Sequence, residues 1–158
     1  MAKIQLLWPG KTKESWLRQG IEFFLKRLKN YYQVNVVETR PAKYSIQQKR
    51  QALEYESKYL VKAIEKSKGY NVILDNNKGK KMSSEGFAHF IKIKQDHGIS
   101  TFVFVIGGSY GLSDQVLGRA DMLLSLSDMT FTHEMARVIL MEQLYRAAAI
   151  NAGSPYHH

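Results

Sequence analysis

Residues 102–114 read FVFVIGGSYGLSD. Five apolar residues, Phe102 to Ile106, run straight into Gly107-Gly108-Ser109-Tyr110-Gly111. A β-branched and aromatic run of this length reads as a strand, and the glycines after it bring backbone close to something. Three readings are open. Gly107 to Gly111 fits G-x-S-x-G, the nucleophile elbow of hydrolases. It half-fits a dinucleotide loop. It is also compatible with a bend that packs against its own chain.

The elbow needs a Ser, then an acid, then a His, each on a loop at the end of a strand. Asp114, Asp121 or Asp128 and then His133 follow Ser109 in that order, but only 49 residues remain and they hold one clear strand. A dinucleotide fingerprint is G-x-G-x-x-G in the first βα turn, with an acid about 20 residues on. Here the glycines are 107, 108 and 111, after the fourth strand, so both spacing and place are wrong. A P-loop needs G-K-[ST], which is absent. A glycine loop at the C-terminal end of a strand can still approach an adenosine ligand.

Working outward, the chain alternates. Lys3–Trp8 reads as a first strand ended by Pro9-Gly10, and Leu17, Ile21, Phe24, Leu25 and Leu28 then mark one face of a helix over 13–30. Val34, Val36 and Val37 make a second strand, and 39–45 is a loop. Ile46, Leu53, Leu60 and Ile64 predict a long amphipathic helix to Gly69, followed by a third strand over Tyr70–Asp75. Asn76–Lys81 is a polar turn. Ser83 or Ser84 caps a helix closed by His97-Gly98, and Ser113 caps a short helix to Arg119. Met122–Leu126 is a fifth strand, and a last helix covers His133 to Asn151 with Gly153 where a C-terminal cap belongs. This order predicts one α/β domain over residues 1–158, with a mostly parallel sheet flanked by helices.

Net charge is +9, and it is lopsided. Residues 1–81 hold 18 Lys/Arg against seven Asp/Glu, whereas 82–158 hold five against seven. A basic half joined to a near-neutral half points to a polyanion partner. Lys/Arg within 11–29 and 40–50, with Lys78, Lys80 and Lys81, are the candidate phosphate contacts. The chain has no cysteine, no apolar run near the roughly 20 residues that span a bilayer, and no signal-peptide pattern at MAKIQLLWPGKTK. The expected location is the cytoplasm, with no membrane. The histidines, 89, 97, 133, 157 and 158, form no H-x-x-x-H pair, so no metal is expected. Glu142 and Arg146 stand four apart on the last helix, a spacing that also suits an ordinary surface ion pair.

Taken together, VILD at 72–75, GKKMSSEGFA at 79–88, FVFVIGGSYGL at 102–112, LSLSDMTFTHEMARVILMEQLYRA at 124–147 and the terminal PYHH resemble the RlmH family of small SPOUT methyltransferases, the 23S rRNA pseudouridine-N3 methyltransferases. The resemblance spans essentially the whole chain. It implies a C-terminal trefoil knot, a homodimer, and S-adenosylmethionine bound in the knot loops. It places cofactor contacts on Leu74, Gly107, Gly108 and the run Leu126, Ser127, Asp128, Met129, Thr130 and Phe131. On this reading a Cβ at Gly107 would occupy the ligand's space, so Gly107→Val should abolish binding and leave the fold largely intact. The implied substrate is a pseudouridine in helix 69 of 23S rRNA, on the assembled large subunit or the 70S ribosome. Arg146, Tyr156 and His157 then form the target-base pocket, Glu142 orients Arg146, and one subunit's tail completes the other's site. His157 is the candidate base, since an imidazole ordinarily titrates near neutrality. Two departures stand out. Thr132 replaces the family's usual Pro and is expected to loosen the turn before His133, and His158 replaces a terminal Lys or Arg. The alternatives are a SPOUT methyltransferase acting on tRNA and a non-catalytic RNA-binding module of the same fold.

Overall fold

The apolar runs become strands because they sit between two helical layers and are buried on both sides. A computed structural model describes residues 1–43 and 48–157. Its elements are β1 (Lys3–Pro9), α1 (Ser15–Leu28), β2 (Gln33–Thr39), α2 (Lys49–Ser67), β3 (Tyr70–Leu74), β4 (Lys80–Lys81), α3 (Ser84–Asp96), β5 (Thr101–Val105), α4 (Asp114–Leu117), β6 (Met122–Ser125) and α5 (His133–Asn151), then a 3-10 turn at Pro155–His157. The strands form one sheet in the order β2-β1-β5-β3-β6-β4, and every ladder is parallel.

Alternation along the strands divides the core in two. Leu6, Trp8, Phe102 and Phe104 face a layer of α1, α3 and α5, where they meet Ile21, Phe87, Ile91, Leu140 and Leu144. Leu7, Val103 and Val105 face α2 and α4, where they meet Leu60, Ile64 and Val116. No helix among the described residues is long and apolar enough to cross a membrane. Ile46 lies outside the described residues.

Local chemistry sets the helix starts. Ser83 accepts a hydrogen bond from Gly86 N at 3.0 Å, and Ser113 accepts one from Val116 N at 3.4 Å. Thr132, expected to loosen its turn, does the opposite: its hydroxyl accepts from Met135 N at 3.2 Å and caps α5. The start of α1 has no cap of its own. Glu134 of α5 supplies one, accepting from Lys13 N at 2.9 Å and Glu14 N at 3.1 Å. One turn further along α5, the fully buried Arg137 donates to Pro9 O at 2.8 Å, Gly10 O at 3.3 Å and Thr12 Oγ1 at 2.9 Å. Burial pulls its guanidinium down to about 10, which leaves it charged at neutral pH.

The segment expected as a polar turn holds the feature that shapes the site. β6 lies between β3 and β4, although only five residues, 75–79, join those two strands. That bridge therefore passes over β6. Asp75 N donates to Leu124 O at 2.9 Å, and Ser125 Oγ donates to Asn76 O at 3.2 Å. A Cβ at Gly79 would lie 2.3 Å from Ser125 N and 2.4 Å from the Leu124 carbonyl carbon, so only glycine closes the bridge.

Candidate active site

The C-terminal ends of β3, β5 and β6 open into one cleft of about 670 Å³. Three backbone segments build it: 74–78 after β3, 106–112 after β5, and Leu126 with 130–133 before α5. Lys49 and Leu53 of α2 close one side. Leu74, Ile106, Leu112, Leu126 and Phe131 give it apolar walls, while the loops contribute main-chain donors and acceptors. That volume falls within the roughly 300–1,000 Å³ of small-molecule sites, and flat apolar walls with backbone polar groups suit an adenosine moiety. His133 borders the cleft, and burial, followed by the charge of Arg137, pulls its imidazole below the usual value.

The glycine loop is held by its own backbone. Gly108 and Gly111 form an antiparallel bridge, with Gly111 N donating to Gly108 O at 3.0 Å, and Gly111 has φ +82°. A Cβ at Gly107 would meet the Gly111 carbonyl carbon and oxygen at 2.8 Å. The expectation that Gly107 leaves room for a ligand is therefore corrected. Its hydrogen atom leaves room for the loop, and Gly107→Val would disrupt the loop before it tested any ligand. A Cβ at Gly108 would lie 3.1 Å from Oε1 of Glu56, a buried carboxylate whose pKa is raised by burial.

Of the residues expected to hold the cofactor, Leu74, Gly107, Gly108, Leu126, Thr130 and Phe131 border this cleft. The other three lie elsewhere. Ser127 borders a neighbouring cavity of about 290 Å³, Asp128 pairs with Lys81, and Met129 is exposed.

The four residues expected to act on substrate come together at the other end of α5. Glu142 Oε1 accepts from Arg146 Nε at 3.1 Å, Arg146 Nη2 at 2.6 Å and Tyr156 Oη at 3.2 Å. Arg146 Nη1 lies 3.3 Å from His157 Nδ1. An arginine can only donate, so Nδ1 accepts and the imidazole proton sits on Nε2, which lies 2.7 Å from Glu85 Oε1. The hydrogen bond to Glu142 holds Arg146 even more firmly charged than usual. Burial, then the adjacent Glu142, pushes the Tyr156 phenol up.

Three members were absent from the expected set. Gln143 donates to Glu142 Oε2 at 2.8 Å, Ser84 donates to Gln143 Oε1 at 2.7 Å, and Glu85 holds His157. Ser84 and Glu85 begin α3, about 60 residues away in sequence, and no local spacing links them to α5. The smaller cavity shares lining residues with the cleft and with the outer members of the cluster. Leu126 and Phe131 border both it and the cleft, while Ser84 and Gln143 border it on the cluster side.

The family model described as "Predicted SPOUT methyltransferase" matches residues 2–157. The ribosomal RNA large subunit methyltransferase H of Halothermothrix orenii is 47% identical over 159 residues, covering 98% of this chain and 99% of the relative. The protein of the same name from Geotalea daltonii is 40% identical over 156 residues, covering 99% of each. Among solved structures, the putative methyltransferase Lpg2936 of Legionella pneumophila, in complex with bound SAM, superposes with a TM-score of 0.51 at 13% identity. The match covers 90% of this chain and 65% of that one. TrmJ from Z. mobilis gives 0.52 at 12% identity, covering 93% and 70%. The two structures share the fold, and the two sequence relatives match from end to end. The chain belongs to the SPOUT methyltransferases, in the family of ribosomal RNA large subunit methyltransferase H.

Proposed function

We propose that this protein methylates N3 of a pseudouridine in helix 69 of 23S rRNA, on the assembled large subunit or the 70S ribosome. Family membership makes it an S-adenosylmethionine-dependent methyltransferase of large-subunit ribosomal RNA. Helix 69 and its pseudouridine are what the family resemblance implies. The observation that supports action on an imide nitrogen, which must lose its proton, is the network of Glu142, Arg146, Tyr156, His157 and Glu85.

When bound, S-adenosylmethionine supplies an electrophilic methyl carbon. The residues that would hold it are Leu74, the 107–111 loop, Leu126, Thr130 and Phe131, which line the cleft. Ser127, Asp128 and Met129, the other expected contacts, belong to the same loop but lie off the cleft wall. The chain's own side chains handle the proton. Glu142 grips Arg146 through Nε and Nη2, which fixes the planar guanidinium with Nη1 toward His157. Donation of Nη1–H to a carbonyl oxygen of the target base, in place of His157 Nδ1, does two things. It stabilises negative charge on the imide, and it uncovers the Nδ1 lone pair of His157. Nδ1 then accepts the N3 proton, while Glu85 holds Nε2–H and stabilises the imidazolium. Tyr156 packs on Tyr145 with centroids 4.5 Å apart and keeps the tail in place.

Two structural proposals belong to this reading. The bridge 75–79 lying over Leu124–Ser125 supports a trefoil knot, with α5 drawn beneath it. Trp16 and Phe23 are 59% and 48% exposed on α1, beside Gly20, which abuts Val138 of α5. An apolar strip of this kind supports a homodimer in which one subunit's tail completes the other's cleft.

Methyl transfer from labelled S-adenosylmethionine to 70S ribosomes, large subunits, free 23S rRNA and tRNA tests the function. The expected product is 3-methylpseudouridine in helix 69, identified by mass spectrometry of the digested RNA, with assembled particles the preferred substrate. Label appearing only in tRNA, or cofactor binding without transfer, would overturn the proposal.

A further inference from the structure

The outer face of α2 carries a feature that the methyl-transfer chemistry leaves unused. Tyr55, Tyr59, Lys62 and Lys66 recur at intervals of four, three and four, so they form one stripe along the helix. The rings of Tyr55 and Tyr59 have centroids 5.3 Å apart. Three cations surround Tyr59. Arg40 places its guanidinium carbon 5.3 Å from the ring centroid, Lys58 its Nζ at 5.6 Å, and Lys62 its Nζ at 5.8 Å.

The acids of α2 are already engaged. Glu54 pairs with Arg50 at 3.4 Å, Glu65 pairs with Arg119, and Glu56 is buried under the glycine loop. Among the described residues, no carboxylate lies within ion-pair distance of Arg40, Lys58, Lys62 or Lys66. Mutually repelling cations gathered round half-exposed aromatic rings fit a partner that brings both negative charge and flat rings. An unpaired nucleic-acid strand brings both. The position is also suitable. Lys49 and Leu53, at the start of the same helix, border the cofactor cleft, and ten residues of helix put Tyr59 about 15 Å from Lys49.

We infer that this face of α2 is a ribosomal RNA contact, stacking an unpaired base on Tyr59 and meeting phosphates at Arg40, Lys58, Lys62 and Lys66. The inference rests on the proposed action on ribosomal RNA. The face holds the strand beside the cleft and takes no part in proton or methyl transfer, so it acts on substrate capture alone.

The test uses the full-length protein with Tyr59→Ala, Tyr59→Phe and the double variant Lys58→Ala/Lys62→Ala, each checked for folding by thermal melting. Tyr59→Ala should raise KM for ribosomes about tenfold, the worth of one stacked base. Its kcat and its calorimetric affinity for S-adenosylmethionine should stay at wild-type values, and Tyr59→Phe, which keeps the ring, should stay near wild-type KM. The double lysine variant should flatten the plot of log binding constant for ribosomes against log salt by about 1.4, two phosphate contacts at 0.7 each. Wild-type KM and salt slope in all three variants, on an enzyme that does methylate ribosomes, would overturn the inference and leave the proposed function standing. Weakened binding to ribosomes with unchanged binding to naked 23S rRNA would assign the face to a ribosomal protein and overturn it equally. A wild-type protein that methylates no ribosomal RNA would overturn the functional reading and this one with it.

Discussion

The two ends of α5 are built from different materials. At its start, the cleft proposed for the cofactor is made of backbone: segments 74–78, 106–112 and 130–133 supply the walls, and glycines let those segments touch one another. At its far end, the cluster proposed to act on substrate is made of side chains, with Glu142, Arg146, Tyr156, His157 and Glu85 joined by hydrogen bonds. A backbone site fails when a single carbon is added. A side-chain site fails when a functional group is removed, and its helix stays folded. The two regions should therefore answer substitution in opposite currencies, stability at one and chemistry at the other.

The largest expected effect is at Gly79. Alanine there would put a methyl group 2.3–2.4 Å from three backbone atoms, and neither the bridge nor β6 can yield without breaking the β3-β6-β4 ladder. Gly79→Ala should cost roughly 3 kcal/mol or more, the upper end of overpacking, or about 6–12 °C in melting temperature. S-adenosylmethionine binding should be lost with it. Gly111→Ala is the matched control. Its Cβ meets nothing within 4 Å, and only the positive φ opposes it, so roughly 1–2 kcal/mol is expected. Calorimetric melting of the pair checks this, and equal losses would dissolve the distinction between close approach and backbone conformation.

Arg146→Met carries the opposite signature. Arg146 and Glu142 keep only about a quarter and a fifth of their side-chain surface exposed. Tyr156 and Gln143 still hydrogen-bond Glu142 once Arg146 is gone, so a loss of roughly 1–2 kcal/mol is expected, below that at Gly79. Turnover on ribosomes should nonetheless fall at least about 100-fold, the scale of a lost oxyanion donor. Affinity for S-adenosylmethionine should hold, because no atom of Arg146 borders the cleft. A variant that melts as early as Gly79→Ala, or that binds cofactor weakly, would show that the two ends of α5 are not separable.

The same contrast explains what could be read from the chain. Periodicity located the helices and the five longer strands because burial on two faces writes itself into apolar spacing. The two-residue β4 has no such signature, since Lys80 and Lys81 are exposed and earn their place only by pairing with β6. The glycines of 107–111 announced close approach, but a bare glycine does not say what approaches. Here the nearest neighbour of Gly107 is its own loop, and the tighter constraint falls on Gly79, inside a stretch that reads as a turn. In the cluster, the Glu142–Arg146 spacing was visible, and the tail was suggested only by family resemblance. Glu85 could not be found, because its partnership with His157 spans 72 residues and depends on how α3 lies against α5.

Glu85 gives the smallest expected effect and the sharpest test of whether the cluster is preformed. Its carboxyl is held below the ordinary 4.5, chiefly by the hydrogen bond from His157. A carboxylate depressed in the folded state stabilises the fold above its unfolded value, and that contribution disappears as pH falls through the lower folded value. Wild type should therefore melt slightly above Glu85→Gln at pH 6, and the gap should begin to close below pH 4.5 and vanish once the folded carboxyl is protonated. Glu85 is largely exposed, so the gap will be small, and it needs paired calorimetric scans across pH 3 to 6. Activity reads the same contact independently. Glu85→Gln keeps a hydrogen-bond acceptor for Nε2–H but removes the charge that stabilises the imidazolium, and about a tenfold fall in kcat with unchanged cofactor affinity is expected if His157 takes the proton. A constant melting gap down to pH 3, together with wild-type kcat, would mean that the tail meets α3 without serving the chemistry, and the base would have to be sought on the cleft side of the smaller cavity.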